Sequence, residues 1–222
     1  MNDNCELCYE VTSDQLPEHY KVGGRSLNRA TLRFGTARAV PAITPLREGH
    51  FLVMPFRHVT ASSQLHGRER EDLLTTMTYL ARHARSLGAQ LFVFEHGIGR
   101  HETGGCGVSH AHLHSVLVNR GECDRCLDAI TALEGPQTMV GRSLPTLDTS
   151  YVYALDWAGK RSVAITGQFQ SQTLRRLVAA ELGSEFADWR RIENWTAFSA
   201  TERHVAAMKT CSTTWAVAAD AG

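Results

Sequence analysis

Apolar and polar positions fall in blocks along the chain, and the period changes from block to block. Residues 1–26 are polar and turn-rich, interrupted by Cys5 and Cys8. Thr31–Thr36 and Arg38–Ile43 carry strand-type residues, and Gly49–Phe56 (GHFLVMPF) is a dense apolar run that predicts a buried strand. From Ser62 to Leu87 the period lengthens. Leu65, Leu73, Leu74, Met77, Leu80, Ala81 and Ala84 recur at helical spacing, and Gly88 closes the segment. Leu91–Glu95 predicts a short buried strand, Gly97–Gly107 a loop with five glycines, and Ser109–Val118 the next strand. A short helix is expected at Arg125–Leu133 and a loop at Gly135–Thr149. Tyr151–Trp157 and Arg161–Thr166 form a hairpin pattern around Ala158-Gly159-Lys160, followed by helices at Ser171–Leu182 and Thr196–Lys209. No repeat or Pro/Ser-rich linker breaks this order. The expectation is an α+β fold: a mostly antiparallel, meander-like sheet with helices packed on it. It divides into a core at residues 1–140 and an α/β extension at residues 141–222, with a soft boundary.

Composition narrows the function classes. The 222 residues are 43% hydrophobic and 21% charged, enough to bury a core. The longest apolar stretches (LFVF, HFLVMPF) fall far short of the roughly 20 residues of a membrane span. The polar start MNDNCELCYE does not read as a signal peptide, so a cytoplasmic protein without a membrane partner is expected. Lys+Arg 23 balances Asp+Glu 23, which argues against a broad nucleic-acid footprint but leaves room for a small anionic ligand. Six Cys and eleven His are the unusual counts. Four of the Cys form two Cys-x-x-Cys pairs, Cys5/Cys8 and Cys123/Cys126; in a reducing compartment such a pair points to metal or redox chemistry before a disulfide. A zinc half-site needs two more ligands. Cys123/Cys126 lies on a predicted helix, where two Cys three apart also simply pack.

The chemistry is concentrated in His110-Ala111-His112-Leu113-His114. On a strand, alternation puts the three imidazoles on one face and Ala111 and Leu113 on the other. Three imidazoles in a row are poor core material. They suit either a three-His metal centre that activates water or a neutral imidazole nucleophile flanked by anion-binding histidines. Gly104-Gly105-Cys106-Gly107 can turn backbone N–H groups inward, as a phosphate cradle does. No carboxylate lies beside the triad, which favours nucleophilic chemistry at phosphorus.

HAHLHSVLV resembles the His-φ-His-φ-His-φφ signature of the histidine-triad (HIT) superfamily of nucleotide hydrolases and transferases. EGHFLVMPFRHV (Glu48–Val59) is similar to the family's upstream Gly-His motif, and CELC, FEHG and SQTLRRLVAAELG look like a bacterial-type branch with an extended C-terminal part. The resemblance implies a HIT-like fold and an enzyme acting at the α-phosphate of a nucleotide. His112 would attack and carry a covalent nucleotidyl group, His114 would contact the phosphate, and His50 would sit near the same site. Backbone groups at Gly105 and Gly107, with Cys106 between them, would hold phosphate oxygens. Glu95 and Gln172 are further candidates for substrate binding, and Arg175 and Arg176 for a polyphosphate. The resemblance also implies a structural zinc at Cys5, Cys8, His58 and His110, no organic cofactor, and a homodimer. Ala42 stands where members place a ribose-binding Asp, so base and sugar specificity do not carry over. A catalytically silent nucleotide-binding or sensor module and a three-His metallohydrolase are the alternatives.

Overall fold

The computed structural model describes residues 5–22, 25–26, 29–102, 109–139, 143–158, 161–188 and 195–219. In chain order its elements are α1 (Glu6–Ser13), β1 (Lys21–Val22), β2 (Arg25–Ser26), β3 (Leu32–Phe34), β4 (Ala37–Pro41), β5 (His50–Pro55) and α2 (Gly67–Ser86). Then follow β6 (Gln90–Gly97), β7 (Leu113–Val118), α3 (Arg120–Thr131), β8 (Gln137–Thr138), β9 (Tyr151–Asp156), β10 (Ser162–Thr166), α4 (Thr173–Glu181) and α5 (Trp195–Ala219).

β1 and β2 pair alone, and the other eight strands form one antiparallel sheet in the order β3-β4-β5-β7-β6-β9-β10-β8 among the described residues. The α+β expectation agrees with this. The meander departs from sequence order at two places: β8 pairs at the edge beyond β10, and β7 inserts between β5 and β6, so the histidine segment runs through the centre of the sheet. The strands beyond residue 140 join that same sheet, since β9 pairs with β6 from Phe92↔Asp156 to Gly97↔Tyr151.

Period-two alternation sends side chains to two layers. One face carries Ala39, Phe51, Val53, Val93, Leu113, Leu117 and Tyr153 against Leu73, Met77, Leu80 and Ala84 of α2 and Val205 and Met208 of α5. The opposite face carries Phe92, Phe94, Val116, Val118, Val152 and Ile165 against Cys123, Cys126 and Leu127 of α3 and Leu174 and Val178 of α4. Toward the β4 end of that second face, α1 replaces α3 and α4: Cys5, Leu7 and Cys8 pack on Val40 and Met54.

Most boundaries agree with the periodicity, and the differences have local causes. Gly88 takes φ +71 and closes α2, with its N–H donating to Arg85 O at 3.0 Å. The helix expected from Ser62 starts at Gly67, because Ser62–Gln64 makes only a 3-10 turn. α3 starts earlier than the apolar pattern because Asn119 and Glu122 form a reciprocal capping box. Helix α1 lies where only turns were expected. Eight residues are too few to show a period, and α1 is held by tertiary contacts instead. Buried Glu10 forms ion pairs with buried Arg29 and Arg38, partners far away in sequence. No described helix is long and apolar enough to cross a membrane.

Candidate active site and metal cluster

The triad histidines share one face, as alternation requires. The strand itself is shorter than expected, starting at Leu113, and the lead-in is held by the Ala111 N–H donating to Val59 O at 2.6 Å. Leu113 and Leu117 face α2, which leaves His112, His114 and Val116 on the side of α1, α3 and α4. There the three imidazoles take three different sets of partners.

His110 is buried and faces the N-terminal Cys pair. Its Nδ1 lies 3.5 Å from Cys8 Sγ and 3.8 Å from Cys5 Sγ, and His58 Nδ1 lies 3.1 Å from Cys8 Sγ. The ligating atoms of Cys5, Cys8, His58 and His110 all fall within 4.8 Å of one another. Bonds of about 2.3 Å to sulfur and about 2.1 Å to nitrogen at a tetrahedral angle separate ligand atoms by about 3.6 Å, so this set fits one tetrahedral ion. His110 Nε2–H donates to Pro55 O at 2.9 Å, which leaves Nδ1 unprotonated toward the thiols, the tautomer a metal needs. Burial pushes the His110 pKa down to about 4, so the ring is a neutral ligand. Among the described residues this is the one such cluster. Cys123 and Cys126 are buried in the apolar layer under α3, and burial raises both thiols, Cys126 to about 12; they pack and gather no further ligands.

His112 lines a cavity. Its Nδ1 contacts the His110 carbonyl at 2.7 Å, so the Nδ1–H donates there and the neutral ring carries its lone pair on Nε2.

His114 lines the same cavity and is backed by His50. The Leu46 N–H donates to His50 Nδ1 at 2.9 Å, so neutral His50 holds its proton on Nε2, which lies 2.9 Å from His114 Nδ1. That bond makes Nδ1 of His114 an acceptor and puts its proton on Nε2. The backbone amide of Leu46 thus fixes both tautomers in sequence and makes His114 Nε2–H a donor. Burial holds both pKa values well below the usual histidine range, and the Arg175 guanidinium pushes in the same direction. The Phe94 ring stacks on His114 at 4.6 Å between centroids. Gly49, with φ +78, lets the chain entering β5 pass close to β7: a Cβ there would lie 2.6 Å from Leu117 Cγ.

The remaining cavity wall comes from both ends of the chain. α1 and the segment after it supply Glu6, Leu7, Glu10, Leu16, Pro17 and Tyr20; Arg29 and, just after β4, Ala42, Ile43 and Thr44 follow; Leu52, Phe94 and His96 come from β5 and β6; Gln172, Leu174 and Arg175 come from the start of α4. Gln172 adopts a left-handed backbone (φ 68), and its buried Oε1 has no hydrogen-bond partner among the described residues. Arg175 is buried and donates to three carbonyls, Ala187, Phe186 and Thr44; its positive charge lies near the histidines and is also felt by the Asp188 carboxylate. Burial lowers its pKa to about 10, so it stays charged at neutral pH.

The expected site residues are therefore only partly united. His112, His114 and Gln172 line the cavity, and the four metal-ligand candidates form their own cluster beside it. His50 does not touch the cavity. It is fully buried, with both ring nitrogens engaged, and reaches a ligand only through His114. Glu95 faces the other way. On β6 it alternates with Phe94 and His96, so it points into the α2 layer, where Ser62 N–H at 2.7 Å and the Tyr151 hydroxyl at 2.7 Å donate to it. Gly105, Cys106 and Gly107 lie outside the described residues. The N-terminal wall was missed, because nothing in Leu7, Leu16, Pro17 or Tyr20 signals a ligand; the Cys5/Cys8 clip was the one hint that this segment is tied down.

The family model "HIT domain" matches residues 27–121. Among solved structures, a hypothetical protein from Leishmania major is similar, with 23% identity and a TM-score of 0.40 over 53% of this chain and 74% of that one. No curated protein matches.

Proposed function

The chain carries a HIT domain over residues 27–121, and from that premise we propose that it is a nucleotide hydrolase or nucleotidyltransferase that works through a covalent nucleotidyl-His112 intermediate. The observation that carries this reading is the bond from His112 Nδ1–H to the His110 carbonyl, which makes Nε2 the nucleophilic nitrogen on a cavity wall. In the first step the Nε2 lone pair forms a bond to the α-phosphorus while the bond from phosphorus to the leaving oxygen breaks. The positive charge that develops on the ring is stabilised by the carbonyl at Nδ1–H. His114 Nε2–H and Arg175 supply a neutral donor and a cation for the phosphate oxygens, and Gln172 supplies an amide. In the second step water or another acceptor attacks phosphorus and gives its proton to solvent, and the bond to Nε2 breaks, which returns the electron pair to the neutral ring.

A three-His metallohydrolase finds less support. The triad nitrogens are directed to three different partners, the thiols, a carbonyl and His50, rather than to one point. Zinc fits the neighbouring Cys2His2 set as a closed structural ion, which would pin α1 to the sheet and supply no catalytic step.

His112→Ala tests the reading. Turnover of a dinucleoside polyphosphate or nucleoside phosphate derivative is expected to fall by about 10³-fold or more, with nucleotide binding retained. Wild-type protein that binds nucleotides and turns over none of them would point to the silent module instead.

A further inference from the structure

The second step of the reaction needs a base, and most polar groups around the cavity are committed elsewhere. A polyphosphate leaving group departs as an anion, so the first step runs without an acid. Water carries a proton that must go as its oxygen bonds to phosphorus. His112 Nε2 is itself bonded to phosphorus at that stage, and His114 has its Nδ1 held by His50 and presents Nε2–H, a donor. Arg175 and Arg29 are cations, and Glu10 is paired with Arg29 and Arg38. Glu6, on α1, accepts the Tyr20 hydroxyl at 2.7 Å and lies 3.1 Å from His19 Nε2.

His96 remains. On β6 it shares a face with Phe94, whose ring stacks on His114, and it lines the same cavity as His112. The β6–β7 ladder ends at Phe94↔His114, and two residues further along that antiparallel register His96 comes opposite His112. Opposite positions on one face of a sheet stand about 5 Å apart at Cβ. The Phe169 ring meets the His96 ring edge-on at 6.3 Å between centroids, and among the described residues no hydrogen bond ties the imidazole down. Burial and the nearby His112 hold its pKa below the usual histidine range, which keeps the ring neutral, the form that accepts a proton.

We infer that His96 is the general base of the second step. Water enters opposite the P–Nε2 bond of nucleotidyl-His112, where the leaving oxygen stood. Its oxygen lone pair bonds to phosphorus, its proton moves to the unprotonated ring nitrogen of His96, and the P–Nε2 bond breaks with its electron pair returning to His112. His96 then passes the proton on to solvent. The role rests on the nucleotidyl-His112 reading and adds the residue that resolves the intermediate. Without His96 the intermediate still forms, and it persists.

The p-nitrophenyl esters of the four common nucleoside 5′-monophosphates separate the two steps, since the first releases coloured nitrophenolate and the second frees the enzyme. In the full chain, His96→Gln and His96→Ala are expected to release a first equivalent of nitrophenolate at about the wild-type rate. Steady release should then fall by about 10²-fold or more, the scale of a lost general base, while intact mass at neutral pH shows the nucleotidyl adduct accumulating. Hydroxylamine attacks phosphorus before it gives up its proton, so it should clear the adduct and restore steady release in both variants; a packing defect at His96 would not be repaired this way. Wild-type steady rates in both variants overturn the proposal. So does a first equivalent slowed as much as the steady rate, or an adduct that hydroxylamine leaves in place, because His96 would then shape the site rather than take the proton. Nitrophenolate released with no adduct on any chain, or no release at all, overturns the nucleotidyl-His112 reading and this role with it.

Discussion

A single backbone amide sets the protonation pattern of the site. Leu46 N–H makes His50 Nδ1 an acceptor, and the order of donors then runs through His50 to His114. His50→Phe removes that order and leaves buried groups on both sides unpaired. The expected result is a kcat reduced by about tenfold to a hundredfold with KM little changed, since an unmet buried hydrogen bond costs about 1–3 kcal/mol. Rescue by His50→Gln or His50→Asn would be partial, as an amide presents a donor and an acceptor in a different geometry. At this scale the sequence was informative about which side chains matter and silent about how they divide the work. The alternation in HAHLH puts three imidazoles on one face, but their separate partners are the Cys5 and Cys8 thiols, the His110 carbonyl and His50 of β5. Glu95 illustrates the limit: adjacent to His96 in sequence, it belongs to the other face, where Ser62 and Tyr151 hold it.

Among the elements, α1 is the one the periodicity could not reveal and the one that completes the cavity. Eight residues with Leu7 and Cys8 as their apolar face would not form a stable helix alone. Two anchors hold it: the Cys5/Cys8 pair facing His58 and His110, and Glu10 facing Arg29 and Arg38. Each anchor makes its own prediction. Cys5→Ser with Cys8→Ser should remove about one zinc per chain, measured by elemental analysis, and lower the melting temperature, while His112-dependent turnover survives in the folded fraction. Glu10→Ala strands two buried guanidinium groups and should destabilise the protein by about 3–5 kcal/mol in denaturant titrations. The longer elements were legible because each carries its own signal. α2 shows its apolar stripe and its closing Gly88, and β5 and β6 show dense apolar runs. α3 was misplaced at its start because Asn119 and Glu122, a polar capping signal, precede its apolar pattern.

Across the whole molecule, the histidine segment sits at the centre of the sheet and draws on segments far apart in the chain. Leu7 to Tyr20, Ala42 to Leu52 and Gln172 to Arg175 close one cavity around it. The α+β class could be read from blocks of changing period, whereas the insertion of β7 between β5 and β6 could not, since strand pairing is decided by contacts far apart in sequence. Burying histidines has a global consequence. His50 and His114 are held below the usual histidine pKa by burial, so the unfolded chain binds more protons than the folded one once the pH drops below about 6.5. The stability from these neutral rings is present above that pH and is lost as the pH falls toward their folded pKa values. Each such group contributes a slope of about 1.4 kcal/mol per pH unit. Melting temperature measured from pH 7.5 to pH 5 should therefore decline, and His50→Phe should flatten the decline; a flat wild-type profile would contradict the neutral pair. The most direct test of the central claim is intact-mass spectrometry, at neutral pH and without acid quench, of the protein mixed with a panel of nucleotides. The account predicts an added mass equal to one nucleotidyl group on the wild-type chain and none on His112→Ala. Turnover by wild type with no adduct under rapid quench-free sampling, or an equal adduct on His112→Ala, would contradict it.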